Sequence, residues 1–377
     1  GQYTINIMSK LCLIYNTAPR YREAVFCAID EAYDCDWYFG PTKSDIKEMD
    51  VRLLKNVKYY KTYGNPQRCY FKRHFLRQLF NPQYQNYLIL AETRSVSDWI
   101  FFWLAFKFFK NKKFYIWTHG WYGKETGRDA KMKLWLYRNV TGTFVYGDRA
   151  KELLVKEGIP AEKLFPIHNS LDYDKQLALR NGIKTSSVYS DHFGNSNPVI
   201  VFIGRLTKVK QLDMLVHAVA DLKSKGEKYN LAFIGDGVEG DNLRALVRQL
   251  GIEEQVWFYG ACYDEKANAE LIYNADLCVA PGNIGLTAIH VLMFGCPAIS
   301  HDDFTWQMPE FEAIKAGQTG DFFERNNTAS LSASISRWFA DKKDKREEVR
   351  QACYKEIDTN WNPYYQMVVL NRNLKLK

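Results

Sequence analysis

The chain has 377 residues, 46% hydrophobic and 25% charged, which excludes a disordered or low-complexity protein. It is long enough for two cores of about 150 to 200 residues each. The net charge of +8 is uneven: residues 1–170 hold 27 Lys and Arg against 16 Asp and Glu, the remainder 24 against 27. A basic first half suits an anionic partner, either a phosphate-bearing acceptor or a membrane surface; a plain compositional bias is the alternative.

Eight scattered cysteines form no CxxC pair, which argues against a zinc site and for reduced core thiols of a cytosolic protein. Ile5 to Met8 is too short for the apolar region of a signal peptide. Trp99 to Phe109, interrupted by Lys107, falls short of the ~20 residues a membrane-crossing helix needs.

In chain order, strands are expected at Leu11–Tyr15, Trp37–Phe39, Val57–Tyr60, Tyr87–Ala91, Phe114–Trp117, Thr143–Tyr146 and Leu164–Ile167. Helical patterns lie between them at Ala24–Ala32, Ser97–Phe109, Met132–Tyr137 and Ala150–Glu157. Residues 181–197 lose periodicity and gain Ser, Asn and Gly, as a linker does. The alternation restarts with strands at Val199–Ile203, Leu231–Ile234, Val256–Tyr259, Leu277–Ala280 and Ala298–Ser300, and ends in helix broken near Asn360–Pro363. Strand alternating with helix predicts parallel sheets covered on both faces. The division is a domain over 1–180, a linker over 181–197, a domain over 198–358, and a C-terminal helix over 359–377 returning to the first domain.

The stretch PVIVFIGRLTKVK, residues 198–210, carries the chemistry. A buried strand stops at Gly204 and is followed by Arg205, Lys208 and Lys210, where open α/β sheets bind ligands. Leu212, Leu215, Val216 and Val219 then repeat at helical spacing. Strand, basic loop and helix together make a place to hold a phosphate. A second loop, Gly282-Asn283-Ile284-Gly285-Leu286, precedes a short helix containing Thr287, and backbone N–H groups there favour an anion.

Residues 204–218 (GRLTKVKQLDMLVHA), 232–262 (AFIGDGVEGDNLRALVRQLGIEEQVWFYGAC), 274–300 (NADLCVAPGNIGLTAIHVLMFGCPAIS) and 308–323 (MPEFEAIKAGQTGDFF) carry a resemblance. From Val199 to about Glu324 the chain resembles the C-terminal domain of glycosyltransferase family 4. These are retaining enzymes of the GT-B fold, two Rossmann-like domains facing a cleft. WTHG at 117–120 and PIHNSLD at 166–172 extend the resemblance more faintly. It implies a metal-independent hexosyltransferase with no cofactor, taking a nucleotide-diphosphate sugar as donor and a saccharide or lipid-linked saccharide as acceptor. It also implies work in polysaccharide assembly in the cytoplasm, at the inner face of an anionic membrane, with no nucleic-acid partner.

By that resemblance Arg205 and Lys210 hold the diphosphate, Arg205 as a fork and Lys210 as a point charge. His119 reaches the donor sugar or the acceptor hydroxyl. Gly204, Gly235, Asn283, Ile284, Gly285, Leu286 and Thr287 line the donor, and Asp264 and Lys266 contact base and ribose. The first domain departs most: Asn16 to Arg22 replaces the family's Gly-rich turn, and Arg20 and Arg22 either bind an acceptor phosphate or form a solvated helix start. The family's two glutamates, eight positions apart, align with Gly282 and His290. His290 is then expected at the ribose or phosphate, with Asn283 or Glu310 taking the sugar hydroxyls.

Three alternatives stand. Gly235-Asp236-Gly237-Val238-Glu239-Gly240 spells the dinucleotide fingerprint of an NAD enzyme. The changes at 282 and 290 fit a degenerate binder or scaffold. Asp34-Cys35-Asp36 spells a metal-binding DxD, although capping the turn before Trp37 is the preferred reading. Residues 58–80 interleave basic and aromatic residues, which suits an anionic membrane, a nucleic acid, or a half-buried helix.

Overall fold

The computed structural model describes residues 10–42 and 46–377; the stretch Ile5–Met8 lies outside them. Two compact units emerge, residues 1–172 with 363–377 and residues 173–362.

The first unit contains β1 (Lys10–Tyr15), α1 (Glu23–Ala32), β2 (Asp34–Phe39), β3 (Val57–Tyr59), β4 (Thr62–Asn65), β5 (Cys69–Lys72) and β6 (Asn86–Ile89). There follow α2 (Val96–Phe108), β7 (Lys113–Thr118), α3 (Gly127–Asn139), β8 (Gly142–Val145), α4 (Asp148–Lys156) and β9 (Leu164–Pro166). Seven strands form one parallel sheet in the order β3-β2-β1-β6-β7-β8-β9. Alternate residues of β1 feed two cores: Cys12 and Ile14 face one cluster, Leu11, Leu13 and Tyr15 the other. A strand buried on both faces needs the continuous apolar run this sequence has.

Residues 58–80 are not one half-buried helix; only Leu76–Phe80 turn, as a short 3-10 helix. β4 and β5 form an antiparallel hairpin, with Tyr63 and Phe71 outward while the Lys72 side chain is 1% exposed. Its ammonium meets Asp98 and Glu92, each at 2.9 Å, and lies over the rings of Tyr60 and Phe75. Asp34 and Asp36 do not cap a turn; they lie in β2. Asp36 is buried and accepts from Tyr84 Oη at 2.6 Å and Lys10 Nζ at 3.3 Å.

The second unit runs α5 (Tyr173–Gly182), α6 (Val188–Phe193), β10 (Val199–Ile203), α7 (Leu212–Ser224), β11 (Asn230–Ile234), α8 (Gly240–Gln249), β12 (Val256–Gly260) and α9 (Glu265–Tyr273). It continues through β13 (Leu277–Ala280), α10 (Thr287–Met293), β14 (Ala298–His301), β15 (Gly320–Phe323), α11 (Thr328–Asp341) and α12 (Arg346–Asn360). The sheet is parallel, in the order β12-β11-β10-β13-β14-β15. Strand order reverses between β10 and β13, the switch point where such sheets open a ligand crevice. The last helix, α13 (Pro363–Asn373), belongs to the first unit, where Val369 and Leu370 join a core cluster.

Residues 181–197 are not a free linker. α6 packs on the second unit: Tyr189 is buried and its hydroxyl donates to the Leu271 carbonyl. His192 stacks on Trp257 at 4.0 Å. The helix is under two turns and ends at Gly194 with φ of 70°, too short for periodicity to show. All eight cysteines are free, five of them buried. Among the described residues no helix is long and apolar enough to cross a membrane.

Lys72→Ala would leave two carboxylates facing each other without their cation. We expect a loss of about 3 to 5 kcal/mol, read as a shift in the urea midpoint; a shift under a fifth of that would show the ion cluster to be dispensable.

Candidate functional site

The turn leaving β10 is packed backbone to backbone. A Cβ on Gly235 would stand 1.8 Å from the Gly204 carbonyl oxygen, and one on Gly237 would stand 2.4 Å from that of Leu206. Gly204 N–H donates to Ile234 O, and Leu206 N–H to Asp236 O, both at 3.0 Å. These two glycines of the apparent dinucleotide fingerprint therefore serve contact between neighbouring loops.

Gly282 presses on the same turn from the β13 side. Its N–H donates to Lys210 O at 3.0 Å, and a Cβ there would lie 2.2 Å from Val209 O. Position 282 has no room for a side chain.

Lys210 is held by its neighbour in that loop. Nζ donates to Asn283 O at 3.0 Å and to Asn283 Oδ1 at 2.8 Å. Burial lowers the ammonium's pKa, while the charge of Glu310 works against that. Glu310 is itself buried in the turn Pro309–Ala313. Arg205, by contrast, is exposed, with no side-chain hydrogen bond or ion pair among the described residues. Lys208 is exposed too.

Other contacts fix the loop. Ile284 N–H donates to Gln307 Oε1 at 3.0 Å, and Gln307 Nε2 reaches Ser300 Oγ at 2.8 Å and His301 O at 3.0 Å. Gly285 takes φ of 54°, Leu286 precedes α10, and Thr287 Oγ1 ties that helix to Ile203 O at 3.1 Å. Gln307 escaped the sequence reading; only its place just before the MPEF motif signalled it.

The residues expected at base and ribose divide. Asp264 caps α9, its Oδ1 accepting from Lys266 N at 3.1 Å, and Lys266 is exposed. Between them Glu265, not singled out from sequence, meets His290: Nε2 lies 2.7 Å from Glu265 Oε1. Burial raises the Glu265 pKa, but the hydrogen bond and charge of His290, with Gln176 and Asn268, outweigh it, so the net shift is downward.

In the first unit His119 follows β7, its ring 4.4 Å from that of Tyr146. Gly120 holds φ of 94° where a Cβ would strike Ala150 at 2.8 Å, so the chain turns sharply after the histidine. Burial, and then the charge of Arg22, lower the His119 pKa to about 4, so the imidazole is neutral at pH 7. Arg22 is not a solvated helix start. It is 2% exposed, lies over Trp117 and Tyr146, each 4.9 Å to the ring centre, and donates from Nη2 to the Tyr146 hydroxyl. Arg20 is exposed. A pocket of about 460 Å³ opens beside His119, with Asn16, Glu92, Arg94, Trp99 and Tyr122 in its wall. His168, stacked on Tyr365 at 4.9 Å, and Asn169 are buried packing residues. Among the described residues no group of three or more His, Cys, Asp or Glu side chains is arranged to hold a metal.

Residues 190–356 match the family model described as glycosyl transferases group 1. Among curated relatives, the 2-deoxystreptamine glucosyltransferase of Streptomyces kanamyceticus is 23% identical over 174 residues, 44% of each chain. The matched stretch spans less than half the length of the curated relatives it resembles. Two solved structures share the fold over nearly the whole chain. The apo lipopolysaccharide outer core galactosyltransferase WaaB has a TM-score of 0.71 at 16% identity, covering 97% of this chain and 99% of that one. Anabaena HepE in complex with UDP has a TM-score of 0.69 at 16% identity, with the same coverage. The fold is GT-B, two Rossmann-like α/β units.

Arg22→Leu should raise the His119 pKa above 4 without restoring the free value, because burial is the larger cause. An NMR titration of the His119 ring reads this directly; an unmoved midpoint would remove Arg22 from the electrostatics of the site.

Proposed function

We propose, from the match of residues 190–356 to the family model described as glycosyl transferases group 1, that this chain is a retaining glycosyltransferase. It moves a hexose from a nucleotide-diphosphate sugar to a saccharide or lipid-linked saccharide acceptor in polysaccharide or glycan assembly. The observation that carries the reading is the cation pair after β10: Lys210 fixed by Asn283 and Arg205 exposed beside it.

Departure of the nucleoside diphosphate builds charge on the leaving phosphate, and fixed cations lower that barrier. Arg205 presents its planar fork to two phosphate oxygens, while Lys210 supplies a point charge already oriented. The anomeric C–O bond to phosphate breaks as the acceptor hydroxyl oxygen bonds to the same face. The hydroxyl's proton passes to the departing phosphate, so positioning replaces a protein base. Neutral His119 is suited to orient a hydroxyl.

The chain's own cations do the work a metal does elsewhere, and Asp36 is committed to Lys10 and Tyr84. A sugar-nucleotide binder without transfer is the second reading, favoured by the absence of glutamate at 282 and 290. For the acceptor we propose a lipid-linked substrate at an anionic membrane, which would put the chain at the cytoplasmic face. Trp103 and Phe108 of α2 are 51% and 62% exposed, with Lys107 Nζ over both rings. Arg128 and Lys131 flank the groove beside them. Aromatic rings and cations on one surface suit an anionic interface.

Arg205→Ala and Lys210→Ala should each cut turnover by about 10². Donor binding without transfer in the wild type would favour the second reading, and wild-type rates in both variants would place the site elsewhere. Excess EDTA should leave activity intact; a loss restored by manganese would return Asp34 and Asp36 to the site. In flotation the protein should follow anionic vesicles, less so at high salt, and Trp103→Ala with Phe108→Ala should weaken recovery. Equal recovery on neutral vesicles would leave this face an ordinary surface.

A further inference from the structure

Between Asp50 and Glu92 the chain carries eight Lys and Arg and no Asp or Glu, a surplus equal to its whole net charge of +8. Lys72 is buried on Asp98 and Glu92; the other seven are exposed. The crossover from β3 to β6 holds the β4–β5 hairpin where a doubly wound sheet would place a helix. That hairpin has a distinct outer face.

Side chains alternate across a strand, and Tyr63 stands opposite Phe71 in the register. Tyr70 and Lys72 point inward, so Tyr63 and Phe71 share the outer face, 53% and 37% exposed. The pairing runs one step further, Arg73 N–H donating to Lys61 O at 2.7 Å, which puts Lys61 and Arg73 on that face too. Arg73 Nη1 donates to the Tyr63 hydroxyl at 3.0 Å. Among the described residues neither Lys61 nor Arg73 has an ion-pair partner. The face is an aromatic pair flanked by two cations.

Its mounting is rigid and leads to a pocket. Lys72 N–H donates to Ser97 Oγ at 2.9 Å, and Tyr70 N–H to Arg94 O at 3.1 Å. Tyr70, Arg94 and Pro66, in the hairpin turn, line the pocket beside His119. Tyr63 lies about 10 Å from that turn by the strand rise, within the reach of a short saccharide. The face of an aromatic ring is electronegative, and the C–H face of a pyranose complements it. The cations call for negative groups on that sugar. A membrane surface would want protruding apolar groups, whereas the Tyr63 hydroxyl is tied to Arg73.

We propose that the outer face of the hairpin binds an anionic saccharide chain, bearing carboxylate or sulfate groups, whose end enters the pocket beside His119. This rests on the reading of the chain as a saccharide-accepting transferase, and it names the acceptor as a charged oligosaccharide.

The test is calorimetry on the full chain with hexagalacturonate, for carboxylate, and a heparin hexasaccharide, for sulfate, against uncharged maltohexaose. One or both acidic chains should bind, more weakly as salt rises. Their affinity should exceed that of maltohexaose by about tenfold, the worth of one charge-assisted hydrogen bond. Tyr63→Ala with Phe71→Ala should weaken it by about tenfold, and Lys61→Ala with Arg73→Ala should bring it to the maltohexaose level. Arg52→Ala with Lys55→Ala, equally basic but outside the hairpin, should stay within about twofold of wild type. Arg94→Ala, at the pocket end, should weaken binding too. No binding of either acidic chain, or an equal loss in the Arg52 and Lys55 variant, overturns the proposal. So does a hairpin that holds phosphatidylglycerol vesicles or single-stranded oligothymidylate while neither hexasaccharide binds. Hairpin losses with Arg94→Ala unchanged would detach the face from the pocket, and the acceptor assignment falls. The readout is binding, so an absence of sugar transfer would sink the transferase reading without altering this result.

Discussion

Three glycines crowd one short turn. Gly235 and Gly237 from the loop after β11, and Gly282 from the loop after β13, each bring backbone within a distance no Cβ would allow of residues 204–209. That contact keeps the cations after β10 on a rigid base. A loop with its own side chains at these points would stand off by an ångström or more, and Lys210 would lose the Asn283 oxygens that orient it. The same packing accounts for two features of the sequence at once: a fingerprint that resembles a dinucleotide site, and the glycine at 282.

The sheets were legible because both faces of each are covered. β1, β10 and β13 are nearly continuous apolar runs, and such runs announce themselves without periodicity. The order of the cations after β10 was legible for the same reason: the end of a buried strand is a sharp landmark. What stayed hidden is short or long-range. The hairpin at Thr62–Lys72 reads as basic-aromatic interleaving, since nothing local says that Lys72 turns inward to Asp98, 26 residues later. α6 is six residues long. β15, Gly320–Phe323, was missed because a partly exposed edge strand lacks an apolar run.

The candidate site was half legible on the same grounds. Residues on the turn itself, Arg205, Lys210, Asn283 and Thr287, declared themselves by position. Gln307 and Glu265 act across the chain, on Ile284 and His290 respectively, and pairings over more than 20 positions leave no trace in one sequence. Arg22 was visible but misjudged as a choice between anion and solvent. It is instead a buried cation under aromatic rings, which set part of its stabilisation through cation–π contact and leave its charge to act on His119.

Gly282 and His290 differ in kind. Gly282 is dictated sterically: a glutamate there would need the Val209 carbonyl to move, and with it the turn that carries Lys210. His290 is under no such constraint, since its side chain has space and a partner. Its Nε2 meets the carboxylate of Glu265, carried by α9, at 2.7 Å.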